Sequence, residues 1–389
     1  MKILVANWQD IKNPRAGGAE VHLHEVFSRI VRMGHEVTLV CSSFPGSLPE
    51  EAIDGIRVIR KGGRYGFNFR FFIEYIRTVH RGEFDLLVDD MNKIPFFTPL
   101  FAAEPVQGIV HHLFGRSIFL ETNALLASYV YLMEGLAVAQ YRRRRVPFIV
   151  GSPSTKNELH RRGFAPEDVV LIPYGVDHAK HRLTGVPKSP TPLVGYFGRL
   201  KKYKSVDHLL QALPSVIAQV PSLRVLVIGE GDDRPRLQAM SRDLGLSDVV
   251  EFTGYVSEER KIELLQRIWF KVTTSSKEGW GLTVLEANAC GTPVVASNVP
   301  GLRDAVRDGE SGLLFAYGDR NDLSRKMLQL LTDGELRTRM ATHALEWSRS
   351  FDWEEAARRT LSLLEQRIAQ QKTSEKSEKT LRMPLPGAS

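Results

Sequence analysis

At 389 residues, 43% of them hydrophobic and 25% charged, the chain is long enough for two ordinary domains and has the make-up of a globular protein. Its two cysteines, Cys41 and Cys290, exclude a disulfide framework and point to a reduced compartment. The formal charge of +7 is not interleaved with stacking aromatics, which argues against nucleic acid, and no apolar stretch reaches the ~18 residues of a spanning helix.

The opening MKILVANW carries one lysine and an apolar run too short for a secretory h-region, so a cytoplasmic location is expected. KILVANW (2–8) reads as a strand and is followed by a turn at Gly17–Gly18. Val21, Val26, Phe27 and Ile30 then recur at helical spacing. EVTLVCS (36–42), GIRVIRK (55–61), FDLLVDD (84–90), VQGIVHH (106–112) and VPFIVGS (146–152) are further strands. Strands alternating with helices predict a parallel sheet covered on both faces. Between them lie the aromatic, basic RYGFNFRFFIEYIRTVHR (64–81) and the apolar LLASYVYLMEGLAVAQYRRRR (125–145), ending in Arg142–Arg145. Two readings stay open for these segments. They are core helices with a solvated cationic end, or a peripheral surface for anionic lipid at the inner face of the plasma membrane.

The Pro-rich VPKSPTP (186–192) precedes a second series: LVGYFGRL, LRVLVIGEG, VVEFTGY, KVTTSS and GTPVVAS, separated by helices such as DHLLQALPSVIAQV. The economical organisation is an N-terminal domain over 1–180, a C-terminal domain over 181–350 and a last helix over 351–370. A polar tail, 371–389, is expected to be disordered. Ligands of open parallel sheets sit outside the carboxyl ends of the strands, so residues just after strands should carry the function.

After the first strand, Gly17 and Gly18 allow backbone amides to approach a ligand at a helix N-terminus. After LVGYFG, Arg199 and Lys204 offer two fixed cations suited to a diphosphate, a solvated basic loop being the bland alternative. IGEGDD (228–233) fails the G-x-G-x-x-G pattern because position 234 is Arg234, which removes most support for hydride transfer. EGWGLTVLEANACGTP (278–293) puts Glu278 in a strand's exit loop and Glu286 in the helix behind it. Two carboxylates entering one cleft suit the vicinal hydroxyls of two sugars. The amides of Gly279–Leu282 suit a phosphate between them, and together these features describe a nucleotide-sugar.

The segments GGAE, IPYGVD (172–177), FGRLKKYKS, IGEGDD, FTGYV, EGWGLTVLEANACGTPVVASNVPG (278–301) and DGESGLLF (308–315) resemble the retaining glycosyltransferases of family 4. That resemblance implies an α/β GT-B fold. Two Rossmann-like, doubly wound parallel-sheet domains would face a deep cleft, with the C-terminal helix crossing back to the N-terminal domain. It implies retaining transfer of a hexose-type sugar from a UDP-, GDP- or ADP-type donor to an acceptor hydroxyl. The acceptor would be a glycan, a glycolipid, a lipid-linked precursor or a small molecule. Asp89–Asp90 and Asp232–Asp233 are adjacent pairs rather than the Asp-x-Asp of metal-dependent transferases, so no metal and no cofactor are expected.

By the same resemblance Glu286 would hold the donor's ribose and Glu278 would lie by its hexose. Arg199 and Lys204 would neutralise the diphosphate, with Gly17 and Gly18 facing it from the opposite domain. Gly229, Tyr255, Gly279, Gly281 and Leu282 would complete the donor side. His111 would sit at the reacting centre, in preference to its neighbour His112. Tyr174 stands where relatives commonly carry Asn, and VDDMNKIPFFTP (88–99) replaces a His/Asp-bearing loop, so acceptor recognition should be distinctive. Two other classes fit the same residues: a sugar-nucleotide epimerase of this architecture and a non-catalytic nucleotide-sugar-binding scaffold.

Overall fold

The two series of apolar strands pair into two separate sheets in a computed structural model, which describes residues 1–63, 66–78, 83–91, 94–120 and 122–381. The first sheet has eight strands: β1 (Lys2–Ala6), β2 (Glu36–Cys41), β3 (Glu50–Ile53), β4 (Ile56–Arg60), β5 (Leu86–Met91), β6 (Val106–Val110), β7 (Phe148–Val150) and β8 (Val169–Leu171). Their spatial order is β3-β4-β2-β1-β5-β6-β7-β8. Helices α1 (Gly18–Arg32), α2 (Phe67–Thr78), α3 (Ala124–Arg143) and α4 (Pro153–Arg161) connect them.

The second sheet has six strands: β9 (Leu193–Phe197), β10 (Arg224–Ile228), β11 (Val250–Gly254), β12 (Phe270–Thr273), β13 (Val294–Ser297) and β14 (Gly312–Phe315). They are ordered β11-β10-β9-β12-β13-β14 and flanked by α5 (Val206–Ile217), α6 (Arg234–Asp243), α7 (Glu258–Arg267), α8 (Leu282–Ala289), α9 (Leu302–Ala305), α10 (Arg320–Thr332) and α11 (Gly334–Ser348).

Side-chain alternation explains why the strands read as continuous apolar runs. In β1, Ile3 and Val5 enter the core under α1, while Leu4 and Ala6 enter the core under α2 and α3. In β12, Phe270 and Val272 pack beneath α5 and α10, which turns Lys271 and Thr273 toward α7 and α8. The terminal helix α12 (Trp353–Leu381) returns to the first domain. Its Ala356, Ala357, Leu364 and Ile368 share a core with Leu23, Val26, Phe27 and Ile30 of α1. Trp280, Leu285 and Ala289 from the second domain join that same core, so one apolar cluster spans both halves.

The sequence reading needs correction at three places. The first sheet is not wholly parallel, because β3 pairs antiparallel with β4. Asp54 and Gly55 at the turn have φ of 47° and 84°, the conformation of a tight primed hairpin, for which Asp-Gly is the standard signal. Strands β8 and β14 are short edge strands that the sequence reading did not assign. The last helix does not end at 370: it continues to Leu381 through residues expected to be disordered. The reason is local, since that stretch holds helix-forming Gln, Lys and Glu and meets no proline before Pro384. The rest of the expected tail, 382–389, and parts of 64–81 and 88–99 lie outside the described residues. No helix among the described residues is long and apolar enough to cross a membrane.

Candidate active site

Strands β1, β6, β9 and β12 all release their chains into one cleft, and the two walls touch there. The Arg199 guanidinium, from the exit of β9, lies against Gly17: a Cβ at Gly17 would stand 3.0 Å from Nη2. Arg199 Nη1 also donates to the Arg15 carbonyl at 3.2 Å. A Cβ on Gly18 would stand 3.4 Å from Leu282 at the start of α8. A Cβ on Gly279 would stand 3.2 Å from the His111 carbonyl and 3.4 Å from His112 Nδ1. Lys277 donates to the Leu113 carbonyl, and the Ser154 amide donates to Asp304 Oδ2 at 3.1 Å. Side chains at positions 17 and 279 would have to displace the opposite wall, which is why glycine suits both.

The loop carrying Glu278 is held from below. Its amide donates to the Pro300 carbonyl at 3.3 Å, and a Cβ on Gly301 would collide with the Glu278 carbonyl oxygen. The Pro-Gly that follows β13 is therefore the floor of the Glu278 loop. Gly281, with φ of 92°, opens α8 in a conformation that side-chain-bearing residues resist. Trp280 is buried against Tyr174 and Phe351, pinning the loop to the first domain.

Each of the two carboxylates, Glu278 and Glu286, faces a lysine. Glu278 accepts from Lys204 and from Ser275 Oγ at 2.6 Å. Burial alone would raise the Glu278 carboxyl, but Lys204 and the Ser275 hydroxyl outweigh it and hold the pKa below the usual carboxylate range. Lys204 is shifted up for the reciprocal reason: burial opposes its charge, and Glu278 more than restores it. On α8, Glu286 lies 3.1 Å from Lys261 Nζ, which also contacts Glu258 at 2.7 Å. His181 Nε2 is 3.1 Å from the same Glu258.

His181, Glu258 and Glu286 place donor atoms within 4.8 Å of one another, close enough to hold a cation among the described residues. The Lys261 ammonium already supplies positive charge there, and with His181 it holds Glu258 down to about 2 against the effect of burial. This donor set therefore fits an ammonium better than a divalent metal. Lys271, fully buried on β12, donates to Thr273 and is coupled electrostatically to Glu278, Lys204 and Glu286. Burial is the main cause that lowers its pKa to about 7.

The adjacent histidines at the exit of β6 point different ways. His111 is buried in the first domain, with Nε2 2.8 Å from Asp90 Oδ1 and Nδ1 hydrogen-bonded to the Tyr174 hydroxyl. His22 stacks on Tyr174 with ring centres 4.2 Å apart. Burial favours the neutral His111 ring, but Asp90 overcomes it and raises the pKa. His112 faces the second domain, where burial first and then Lys277 lower its pKa to about 3.

With this geometry in hand, comparison with known proteins decides the family. The model described as "Glycosyltransferase Family 4" matches residues 16–180, and that described as "Glycosyl transferases group 1" matches residues 179–347. The chain belongs to the family 4, group 1 glycosyltransferases. The D-inositol 3-phosphate glycosyltransferase of Stackebrandtia nassauensis is 35% identical over 210 residues, covering 49% of this chain and 47% of that protein. This family member spans about half the length of the curated relatives it matches.

The fold match is fuller. Sucrose-phosphate synthase from Thermosynechococcus elongatus superposes with a TM-score of 0.80 at 22% identity, covering 95% of this chain and 99% of that one. Anabaena HepE in complex with UDP-glucose superposes at 0.72 with 22% identity, covering 96% and 100%. The fold is GT-B.

Not every expected donor residue of this family member faces the cleft alike. Glu278, Lys204, Arg199, Gly17, Gly18, Gly279 and Leu282 converge with both histidines, and Glu286 lies farther along α8 with Lys261. Gly229 packs against the Gly198 carbonyl, tying the exits of β9 and β10 together, and its amide donates to the Gly254 carbonyl at 2.9 Å. Tyr255 stands 84% exposed at the exit of β11. The sequence reading did not single out Ser275, Lys277, Lys261 or Lys271. No spacing rule links them to the two glutamates, although a lysine inside the apolar strand FKVT was a visible anomaly.

Proposed function

We propose that this chain moves a hexose-type sugar from a nucleotide-diphosphate-sugar to an acceptor hydroxyl, with retention of configuration and without a divalent metal. The observation that carries the proposal is the juxtaposition of Arg199 over Gly17 with the Lys204–Glu278 pair at the mouth of the same cleft. Glycosyl transfer builds negative charge on the departing diphosphate while the sugar gains oxocarbenium character. Fixed guanidinium and ammonium groups, with the amides at the start of α8, stabilise that growing charge without reorganising. Glu278 then serves the hexose hydroxyls and Glu286 the ribose, each beside a lysine. Retention follows from front-face entry of the acceptor beside the leaving phosphate, which itself accepts the acceptor's proton. His112 is placed toward the donor loop, and His111, braced by Asp90 and Tyr174, supports the wall behind it.

The glycosyltransferase names of the relatives support glycosyl transfer, and the UDP-glucose held by HepE supports a nucleotide-sugar donor here. A thermal-shift screen of UDP-, GDP- and ADP-sugars tests this reading. A true donor at 100 times its dissociation constant should stabilise the protein by about 2.7 kcal/mol. No response to any of them, with the protein folded, would sink the proposal. Incubating the responding donor without acceptor separates transfer from epimerisation, since only an epimerase interconverts it.

A further inference from the structure

The first domain buries one face of α2 and α3 and leaves the other apolar face in water. Phe67, Phe71 and Tyr75 of α2 and Ala137, Val138 and Tyr141 of α3 already fill the core beneath them. On the outer side of α3, Leu125, Tyr129, Leu132 and Leu136 form a single stripe at helical spacing, Leu125 being 86% and Leu132 60% exposed. On the outer side of α2, Phe69, Phe72, Ile73 and Ile76 do the same, Phe69 being 63% exposed. Both helices pack on the same face of the sheet, their inner residues sharing one core, and Phe72 of α2 meets Phe101 at 4.9 Å between ring centres. The stripes are thus neighbours on one surface, far more apolar than single scattered exposed side chains.

Charge on this surface has one sign. From Ala124 to Gln140 the sole charged residue is Glu134, and it is turned inward to accept from the amides of Phe114 and Gly115. On α2, Glu74 is buried and paired with Arg70 at 2.8 Å. The described faces of both helices therefore present no exposed carboxylate. The cations gather at one end: Arg77 closes α2, and Arg142, Arg143, Arg144 and Arg145 close α3, all exposed. Both helices run back from the cleft to the amino ends of the next strands, so these arginines share the edge remote from the cleft. In a two-fold pairing of these faces, a second copy would set the same arginines against one another, with no exposed carboxylate from the described faces of α2 and α3.

We infer that the outer faces of α2 and α3 form a docking surface for an anionic lipid bilayer, with leucine and aromatic side chains in the acyl boundary and arginines on the headgroups. The binding stands apart from the transferase reading. Its corollary, that the acceptor hydroxyl is presented at the membrane near the cleft mouth, rests on that reading.

The full chain should pellet with vesicles of phosphatidylcholine containing one-third phosphatidylglycerol, weakly with phosphatidylcholine alone, and less as salt rises. The pair R143S/R144S should weaken partition by about fivefold per arginine removed. The triple variant L125S/L132S/L136S should lose binding while keeping its melting temperature, because all three sites are exposed. No pelleting with anionic vesicles at low salt overturns the inference, and so does parental binding by the triple variant. A lipid-free dimer that the same leucine substitutions convert to monomer would assign the face to a second copy instead. None of these readouts uses a donor, so failure here leaves the proposed transfer reaction standing.

Discussion

Lys204→Met is the sharpest test of whether the cleft's ion pair serves stability alone or also the proposed chemistry. Both side chains of the Lys204–Glu278 pair are 16% exposed, so the substitution strands a mostly buried carboxylate whose remaining partner is the Ser275 hydroxyl. Breaking such a pair from one side costs about 3–5 kcal/mol, and because some water reaches these groups the lower end, about 3 kcal/mol, is expected. The sign of the pH dependence follows from the shifts. The Glu278 contribution, from a depressed pKa, is lost as pH falls through that value. The Lys204 contribution, from a raised pKa, is lost as pH climbs through its own, so the pair is fully effective around neutrality.

Adding Glu278→Gln removes the stranded charge, and the double variant should regain most of the lost stability in urea unfolding. Turnover should behave differently. A fixed cation at the leaving group is worth on the order of 10²-fold, about 3 kcal/mol, and neutralising its partner does not replace it. With the donor identified by thermal shift, both variants should therefore remain at least tenfold slow. Recovery of turnover together with stability in the double variant would show that the pair is structural and refute the reasoning.

Lys271 gives a second pH signature: the unfolded chain keeps its proton to 10.5, whereas the native state sheds it near about 7. Stability should thus rise with pH between those values, by about 4–5 kcal/mol in total, and Lys271→Met should stabilise the protein at pH ~6 by roughly 3 kcal/mol after the loss at Thr273. Denaturant titrations showing a stabilisation equally large near pH ~10 would contradict this. Tyr174→Phe should cost about 1–2 kcal/mol and change the ring ¹⁵N shifts of His111, while Tyr174→Asn, which empties the cluster shared with His22, Trp280 and Trp353, should cost about 3 kcal/mol or more. Unchanged His111 shifts in the Phe variant would dismiss the hydroxyl as its brace. Excess EDTA should leave turnover intact, since Lys261 already lies 2.7 Å from Glu258 and 3.1 Å from Glu286. Abolition reversed by Mn²⁺ would assign those carboxylates to a metal.

What the sequence by itself determined is whatever local sterics and periodicity encode. KILVA and RVLVI had to be strands covered on both faces, because their apolar residues do not alternate with polar ones. Gly17–Gly18 marked a turn where backbone amides can approach a ligand, and the spacing from Glu278 to Glu286 put one acid in the loop and one in the helix. Asp54–Gly55 also announced its hairpin, although the sequence reading passed over it.

Only the tertiary structure decided which groups meet. Lys204 lies 74 residues from Glu278 and Lys261 lies 25 from Glu286, and nothing in the order of residues says that those helices and loops adjoin. His111 is turned inward by its contacts with Tyr174 and Asp90, and the exposure of the α2 and α3 stripes depends on which neighbours cover them. Periodicity shows that a helix has an apolar face; it carries no information on whether a second face of the same kind finds a partner. Electrostatic and packing partners are properties of the assembled chain, because they fall off over a few ångströms while sequence separation spans tens of residues.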